Sequence, residues 1–281
     1  MGDYVRPAEL DGALRALRAG RYVVLAGGTD FYPARVGRPL SDDVLDISAI
    51  PALNGITRQG STWRIGALTT WAELRDASLP SWFEGLKQAA RTIGGEQVQN
   101  RATLCGNICN ASPAADSVPN LLALDAVVEL ASLGGRRLVP IGSFILGNRR
   151  TARRPDELVT ALLIAEPSRP ARSRFLKLGA RAYLVISIVM VAALLEATAD
   201  GKVAAARVAV GACSAAAQRL FALERVLVGR PLDGRLGGAA SAEHLEGLRP
   251  IDDIRATAAY RRDAALTLVR RLLGELGSQG A

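Results

Sequence analysis

The chain has 281 residues, 49% hydrophobic and 22% charged, which is typical of a globular protein with room for two compact domains. The formal net charge is +8, but apart from a cluster at 149–154 the arginines are scattered without interleaved aromatic residues, which argues against nucleic-acid binding. The longest apolar run, Tyr183–Leu195, is shorter than the roughly 20 residues of a membrane-spanning helix, and the N-terminus lacks the pattern of a signal peptide. We therefore expect a cytoplasmic protein that binds neither nucleic acid nor membrane.

The first 50 residues predict a helix followed by two buried strands. Pro7 opens the helical pattern and Gly20 closes it, as expected for proline near a helix start and glycine just past its end. Tyr22–Ala26 and Val44–Ile47 are short apolar runs rich in β-branched residues, which favours strands.

The next 120 residues alternate between strand and helix patterns. Thr69 or Thr70 is a candidate N-cap for a helix, because threonine accepts hydrogen bonds from free helical amides. The predicted elements are a hairpin within 56–68, helices Trp71–Asp76 and Ser81–Ile93, a short helix that ends near Leu124, and strands Ala126–Ala131, Leu138–Val139 and Leu158–Ile164.

A change of composition at residues 166–170, where two prolines lie within four residues, predicts a linker. Beyond it, Phe175–Leu178 reads as a strand, and Asp200-Gly201 between two apolar runs predicts a hairpin. Helical patterns fill the remainder, namely Gln218–Val228, a segment near His244, and Ala258–Leu276.

The cysteines do not predict a metal site. Cys105 and Cys109 form one close pair, but the third cysteine is Cys213 and the only histidine is His244. Because a closed metal site normally needs four ligands, we interpret the cysteines as small buried side chains. Their odd number also argues against a disulfide framework.

Two glycine-rich stretches predict a site for phosphate. Residues 26–30 (Ala-Gly-Gly-Thr-Asp) follow the first predicted strand directly, and residues 105–116 follow the helix Ser81–Ile93. Free main-chain amides in such turns form anion-binding concavities, so two of them could hold the two phosphates of a dinucleotide. Taken alone, the first stretch is equally a plain tight turn, and Asp116 equally compensates the positive end of a helix.

Five motifs in register carry a family resemblance over nearly the whole chain. They are residues 25–30, 93–103, 106–116, 175–179, and 250–255 with 259–261. In their order and spacing they make the chain resemble the FAD-binding medium subunit of the xanthine dehydrogenase and carbon monoxide dehydrogenase family of molybdenum hydroxylases.

The resemblance implies an α+β fold in two domains. Residues 1–167 are expected to form a two-subdomain FAD-binding fold of the p-cresol methylhydroxylase and vanillyl-alcohol oxidase type, with subdomains of about 1–53 and 54–167. Residues 168–281 are expected to form the family's C-terminal domain, a three-stranded antiparallel sheet with helices.

The resemblance also implies roles for particular residues. It assigns the pyrophosphate turn and its surroundings to 25–31, an apolar wall to Ile93, and the flavin's polar chain to Asp116. An apolar flavin contact falls on Leu158, the ring's cationic neighbour on Lys177, and an aromatic cover on Tyr183, which is equally a candidate core residue. The implied cofactor-binding set is Leu25, Ala26, Gly27, Gly28, Thr29, Asp30, Phe31, Ile93, Thr103, Gly106, Asn107, Asn110, Asp116, Leu158, Lys177 and Tyr183.

The implied function is electron transfer through FAD, with no catalytic side chain and no metal ligand in this chain. Partner subunits would carry molybdopterin and two [2Fe–2S] clusters, and NAD is a possible acceptor. Two positions depart from the family pattern, because Ala102 and Cys105 replace usual glycines. That departure keeps open a flavin-free scaffold, and a self-contained flavin oxidase or dehydrogenase is the other alternative.

Overall fold

The computed structural model describes residues 2–37, 39 and 41–278. Within these residues, strands and helices alternate along the chain. The strands are β1 (Tyr4–Val5), β2 (Val23–Leu25), β3 (Val44–Asp46), β4 (Ile56–Gln59), β5 (Thr62–Gly66), β6 (Val127–Ser132), β7 (Gly135–Pro140), β8 (Ile145–Gly147), β9 (Arg150–Thr151), β10 (Leu158–Ala165), β11 (Ala171–Leu178), β12 (Val189–Ala197), β13 (Val203–Gly211) and β14 (Gln218–Arg219). The α-helices are α1 (Leu10–Ala19), α2 (Trp71–Asp76), α3 (Glu84–Thr92), α4 (Glu96–Gln99), α5 (Leu104–Asn110), α6 (Ser117–Ala123), α7 (Ile141–Phe144), α8 (Phe221–Leu227) and α9 (Ala258–Ser278).

The N-terminal part is a small parallel sheet in the order β1-β3-β2. Helix α1 turns Ala13, Leu14 and Leu17 inward at helical spacing. All three residues of β3 are buried, as expected for a central parallel strand. The chain leaves β2 at Leu25, so the first glycine-rich turn begins at the carboxyl end of this sheet.

A five-stranded antiparallel sheet in the order β4-β5-β10-β6-β7 follows. Helix α2 starts with a capping box in which Thr70 and Glu73 each bond the other's backbone amide, so Thr70 is the cap anticipated from the sequence. Trp71 and Phe83 are fully buried and anchor the helical layer to the core.

The C-terminal sheet has the order β11-β12-β13-β14 and is antiparallel throughout. Strand β12 is buried on both faces, because its alternate residues enter two separate hydrophobic cores. Met190, Ala192 and Leu194 join the core that contains α3 and α6, whereas Val191 and Ala193 join the core that contains α8 and α9.

Several predicted elements need correction. The helix predicted at Ser81–Ile93 begins as a 3₁₀ turn and is α-helical only from Glu84. The helix predicted at Gln218–Val228 is wrong at its start, because Gln218 and Arg219 pair with β13 as a short fourth strand. The segment near His244 is a single 3₁₀ turn.

The mixed α+β class is confirmed, and the predicted three-stranded C-terminal sheet has three long strands plus the two-residue β14. The domain boundary at 167/168 stays a prediction, and the predicted C-terminal domain is described as far as residue 278. Within the described residues, no helix combines the length and apolar character that crossing a membrane requires.

Candidate cofactor-binding site

At Gly27 the first glycine-rich turn packs against the backbone that leads into the second stretch. A Cβ atom at this position would lie only 1.8 Å from the carbonyl oxygen of Arg101 and 3.0 Å from the Cα of Ala102. Any side chain would therefore force the first turn away from the second stretch. Gly28 has a φ of +78°, a conformation that glycine adopts at little cost. The sequence thus places glycines where close approach and turn geometry need them.

The meeting point opens into a cavity of about 440 Å³, within the range of about 300–1,000 Å³ typical of ligand sites. Its lining brings together residues from the first turn, from the start and end of α5, and from β10. Ten of the predicted site residues line it, namely Ala26, Gly27, Gly28, Thr29, Asp30, Phe31, Thr103, Gly106, Asn110 and Leu158.

Helix α5 presents its first turn to this cavity. The Thr103 hydroxyl caps the helix by accepting a hydrogen bond from the Gly106 amide at 3.0 Å. A Cβ at Gly106 would lie 2.8 Å from the same hydroxyl oxygen, so a larger residue would disturb the cap. The glycine in the second stretch therefore protects a local hydrogen bond.

The two departures from the family pattern cost no backbone strain. Cys105 lies inside α5 and is buried, and neither Cys105 nor Ala102 has a positive φ. Because only the left-handed region strongly favours glycine, both replacements are compatible with the loop conformation. This removes the observation that supported a flavin-free scaffold.

Arginines were missed as cavity residues by sequence reasoning. Arg35 lies over the Phe31 ring, with its guanidinium carbon 3.9 Å from the ring centroid, and pairs with Asp42 at 2.6 Å. The guanidinium of Arg35 is thus held beside the first turn by a cation–π contact and an ion pair. Nothing in the sequence indicated this arrangement, because the contacts of Arg35 depend on how the chain folds back after the turn.

Arg149 and Arg153 also line the cavity, although they lie far from the first turn in sequence. Arg149 has a φ of +55° and donates through Nη1 to Asn110 Oδ1 at 2.6 Å. Arg153 donates through Nη1 to the carbonyl of Glu157 at 2.7 Å. The cluster of basic residues at 149–154 was the available signal, but it gave no reason to separate inward from outward members.

Asp116 and Lys177 form a buried ion pair apart from the cavity lining. Lys177 Nζ lies 2.7 Å from Asp116 Oδ2, and the Ser187 hydroxyl donates to Asp116 Oδ1 at 2.5 Å. Burial raises the pKa of the Asp116 carboxyl, and the charge of Lys177 opposes part of this rise. The two predicted residues are thus brought together, with both carboxylate oxygens already engaged.

The remaining predicted residues do not line the cavity. Leu25 is buried at the end of β2, and Asn107 accepts a hydrogen bond from Ser117. Ile93 ends α3 and its carbonyl accepts from Gln99. Tyr183 is 74% exposed, so its interpretation as a core residue is wrong. The roles predicted for all four stay predictions.

The cysteines differ in their access to the cavity. Cys105 and Cys213 are buried, whereas Cys109 has an exposed side chain in the cavity wall. Desolvation by the surrounding protein raises the pKa of the Cys109 thiol to about 11, and the charge of Arg153 opposes part of this rise. Among the described residues, no cluster of histidine, cysteine and acidic side chains is placed to hold a metal ion.

Comparison with known families accounts for this architecture. Residues 1–167 match the FAD binding domain in molybdopterin dehydrogenase, and residues 174–276 match the CO dehydrogenase flavoprotein C-terminal domain. The chain belongs to this molybdopterin dehydrogenase flavoprotein family. The family resemblance inferred from the sequence motifs is confirmed, and so is FAD as the cofactor.

Relatives in the family align over almost their full lengths. The nicotine 6-hydroxylase medium subunit of Paenarthrobacter nicotinovorans is 29% identical, with 98% of this chain and 97% of the relative covered. A putative xanthine dehydrogenase FAD-binding subunit of Escherichia coli is 30% identical, with 97% and 94% covered. The chain is therefore an oxidoreductase flavoprotein of this family.

Solved structures confirm the predicted fold type. Carbon monoxide dehydrogenase from Hydrogenophaga pseudoflava superposes with a TM-score of 0.89 at 27% identity, covering 98% of this chain and 96% of that chain. Quinoline 2-oxidoreductase from Pseudomonas putida 86 gives 0.90 at 25% identity, covering 100% and 98%. Both domains of this family are thus present in one chain.

The cavity fits the polar middle of a dinucleotide cofactor. Glycines of the first turn and two arginines with free N–H groups line it, and Leu158 and Val159 supply an apolar wall. Donors around a cleft that also has apolar walls suit a ligand with a charged centre and flat aromatic ends. The residue-by-residue assignment of FAD contacts stays a prediction.

Proposed function

We propose that this chain is the FAD-carrying medium subunit of a molybdenum hydroxylase complex and passes electrons from [2Fe–2S] clusters of a small subunit to NAD⁺ or another acceptor. The observation that carries the proposal is that residues of both glycine-rich stretches line one cavity, with Gly27 packed against the Arg101–Ala102 backbone that leads into the second stretch. Bound FAD would supply both one-electron and two-electron redox chemistry.

The chain's own residues bind and orient the cofactor. Gly27, Gly28 and Thr29 line the cavity, and main-chain amides in such a turn are suited to hold phosphate oxygens. The Thr103 cap fixes the first turn of α5 beside them. The apolar side chains of Ile47 and Leu158 keep water from one wall. No step of this function requires a general acid or base from this chain.

The proposed partners are a molybdopterin-binding large subunit and a [2Fe–2S] small subunit. Relatives that align over nearly the whole chain are named medium subunit or medium chain, and the coverage leaves little of them unmatched. The cytoplasmic location inferred from the sequence belongs to the same proposal. The substrate would be chosen by the large subunit and is not encoded here.

The cofactor assignment is tested on the purified full chain. We expect flavin absorbance and release of FAD, rather than FMN, on denaturation. Gly27→Ala should lose FAD, because the added Cβ collides with the Arg101 carbonyl. Gly238→Ala is the matched control, since a Cβ there meets nothing within 4 Å. Stoichiometric FAD in Gly27→Ala would contradict the site.

The assembly and acceptor are tested by co-purification and turnover. A tagged full chain should bring down a molybdopterin protein and an iron–sulfur protein from its native host. The isolated complex, reduced by substrate, should form NADH from NAD⁺. A preparation that remains a single-chain enzyme and oxidises a substrate unaided would overturn the subunit role, and NADH formation that never occurs would exclude NAD⁺ as the acceptor.

A further inference from the structure

We propose that Arg149 and Arg153 neutralise the diphosphate of the bound dinucleotide, while their neighbours Arg150 and Arg154 serve the solvated surface. The inference rests on the proposed cofactor site and adds two residues to it that no sequence motif singled out. Its basis is the charge balance of the cavity together with the way each guanidinium is held.

The charged side chains of the cavity lining leave a net positive charge, because the arginines outnumber the one lining carboxylate, Asp30. Four charged side chains line the cavity, namely Asp30, Arg35, Arg149 and Arg153. Arg35 is paired with Asp42 at 2.6 Å. Arg149 and Arg153 have no carboxylate within 4 Å among the residues that the structure describes. Arg153 is half-buried, and an unpaired charge there loses hydration, a cost that a ligand of opposite charge would offset, whereas Arg149 is exposed at the cavity mouth.

The two guanidiniums are held in place by neutral acceptors, which leaves their charge available. Arg149 is fixed by the bond from Nη1 to Asn110 and by its own amide, which donates to the Ala111 carbonyl at 2.9 Å. Arg153 uses Nη1 for the carbonyls of Arg154 and Glu157. The remaining N–H groups of each fork are free to donate to phosphate oxygens.

The chemistry of the ligand follows from this arrangement. A diphosphate carries two negative charges, and Arg149 and Arg153 supply two positive charges with free N–H donors, which exceed the single charge of Asp30 in the lining. Asn110 Oδ1 accepts a hydrogen bond from Arg149, which links the end of α5 to this arginine. The two arginines therefore add positively charged donors to the glycine turn on the same cavity.

The adjacent arginines provide an internal comparison. Arg150 and Arg154 do not line the cavity, although each is one position away from a lining residue and Arg150 is as exposed as Arg149. If only the net charge of the protein mattered, substitution of any of the four arginines would weaken FAD binding equally. If direct contact matters, only substitutions at 149 and 153 should weaken it. Substitution with glutamine removes the charge and leaves a shorter polar side chain with fewer N–H donors, and the same substitution at all four positions makes the comparison a matched one.

The experiment measures FAD binding to the full chain after its flavin is removed, by quenching of flavin fluorescence over a range of salt concentrations. Arg149→Gln and Arg153→Gln should each weaken binding by about tenfold or more and reduce its dependence on salt. Arg153→Lys should retain part of the affinity and the salt dependence. Arg150→Gln and Arg154→Gln should bind as the wild type does.

Two results would overturn the inference. One is wild-type affinity and salt dependence in both Arg149→Gln and Arg153→Gln; the other is an equal loss in the two outward controls. Thermal unfolding of each flavin-free variant checks that the fold is kept, and loss in Arg153→Gln without recovery in Arg153→Lys would assign the effect to packing. Failure of the wild type itself to bind FAD would instead refute the proposed function.

Discussion

Lys177 and Asp116, which are 61 residues apart in sequence, form an ion pair of 2.7 Å in which both side chains are at least 90% buried. The pair joins β11 to the N-terminal end of α6. Because the lysine charge is matched by a carboxylate, its electrostatic effect on a neighbouring group is smaller than that of a free cation.

Removing Lys177 should destabilise the protein strongly. Lys177→Met leaves Asp116 buried without its partner, and the loss expected for breaking a buried pair is about 3–5 kcal/mol. Chemical denaturation measures the change. The double variant Lys177→Met, Asp116→Asn should recover part of the loss. Lys202→Met, which breaks an exposed pair with Asp200, should leave stability unchanged, and equal losses at both lysines would refute the prediction.

The loop at 250–257 should make stability fall in acid. The Arg255 amide, followed by Arg261, lowers the pKa of Asp253 to about 2 in the folded chain. A carboxyl with a depressed folded pKa contributes stability above its unfolded value near 4, and this contribution is lost as the pH falls toward about 2. Asp253→Asn should therefore flatten the acid limb of a plot of unfolding free energy against pH.

The exposed residue Asp263, on α9, gives the control for that experiment. Asp263→Asn should keep the acid limb of the wild type, because its side chain makes no hydrogen bond within the described residues. If Asp253→Asn also kept the wild-type fall of unfolding free energy in acid, the hydrogen bonds around Asp253 would not be a source of acid-sensitive stability.

Cys109 should report occupancy of the cavity. A maleimide reagent should modify the flavin-free chain at this one cysteine, since Cys105 and Cys213 are buried. Because the Cys109 thiol has a pKa of about 11, the rate should rise with pH throughout the alkaline range. Added FAD should slow the reaction, and Cys109→Ser should abolish it. An identical rate with and without FAD would place the cofactor elsewhere.

Two helix-capping threonines allow the effect of a cap on stability to be distinguished from an effect on cofactor binding. Thr103 caps α5 beside the cavity, whereas Thr70 caps α2 outside its lining. Replacing either with alanine should lower the unfolding free energy by about 1 kcal/mol. Only Thr103→Ala should also weaken FAD binding, as measured by fluorescence titration. Equal FAD affinities in the two variants would show that the Thr103 hydroxyl has no part in the site.

Local signals predicted much of the fold. The Asp200-Gly201 turn lies between β12 and β13 as anticipated, and Thr70 caps α2, because both features depend on residues close in sequence. The start of α8 was mispredicted, since Gln218 and Arg219 have helical neighbours in sequence but strand β13 beside them in space. Tertiary pairing there overrides local preference.

The candidate site shows the same limit. Gly27 and Gly28 were recognisable because a turn that approaches another backbone needs glycine. Arg149 and Arg153 were not, because whether a side chain points into a cavity or into water depends on the packing of distant segments. The pairing of Asp116 with Lys177 likewise depends on where β11 docks against α6.

Strand β12 has a consequence for how the molecule moves. Its side chains alternate between the two hydrophobic cores. Rotating the N-terminal part of the chain against the C-terminal part would therefore expose buried side chains of this strand. The proline-containing segment at 166–170 therefore cannot act as a hinge, even though its composition resembles one. The cavity and the C-terminal sheet should therefore keep one relative position when the cofactor binds or leaves.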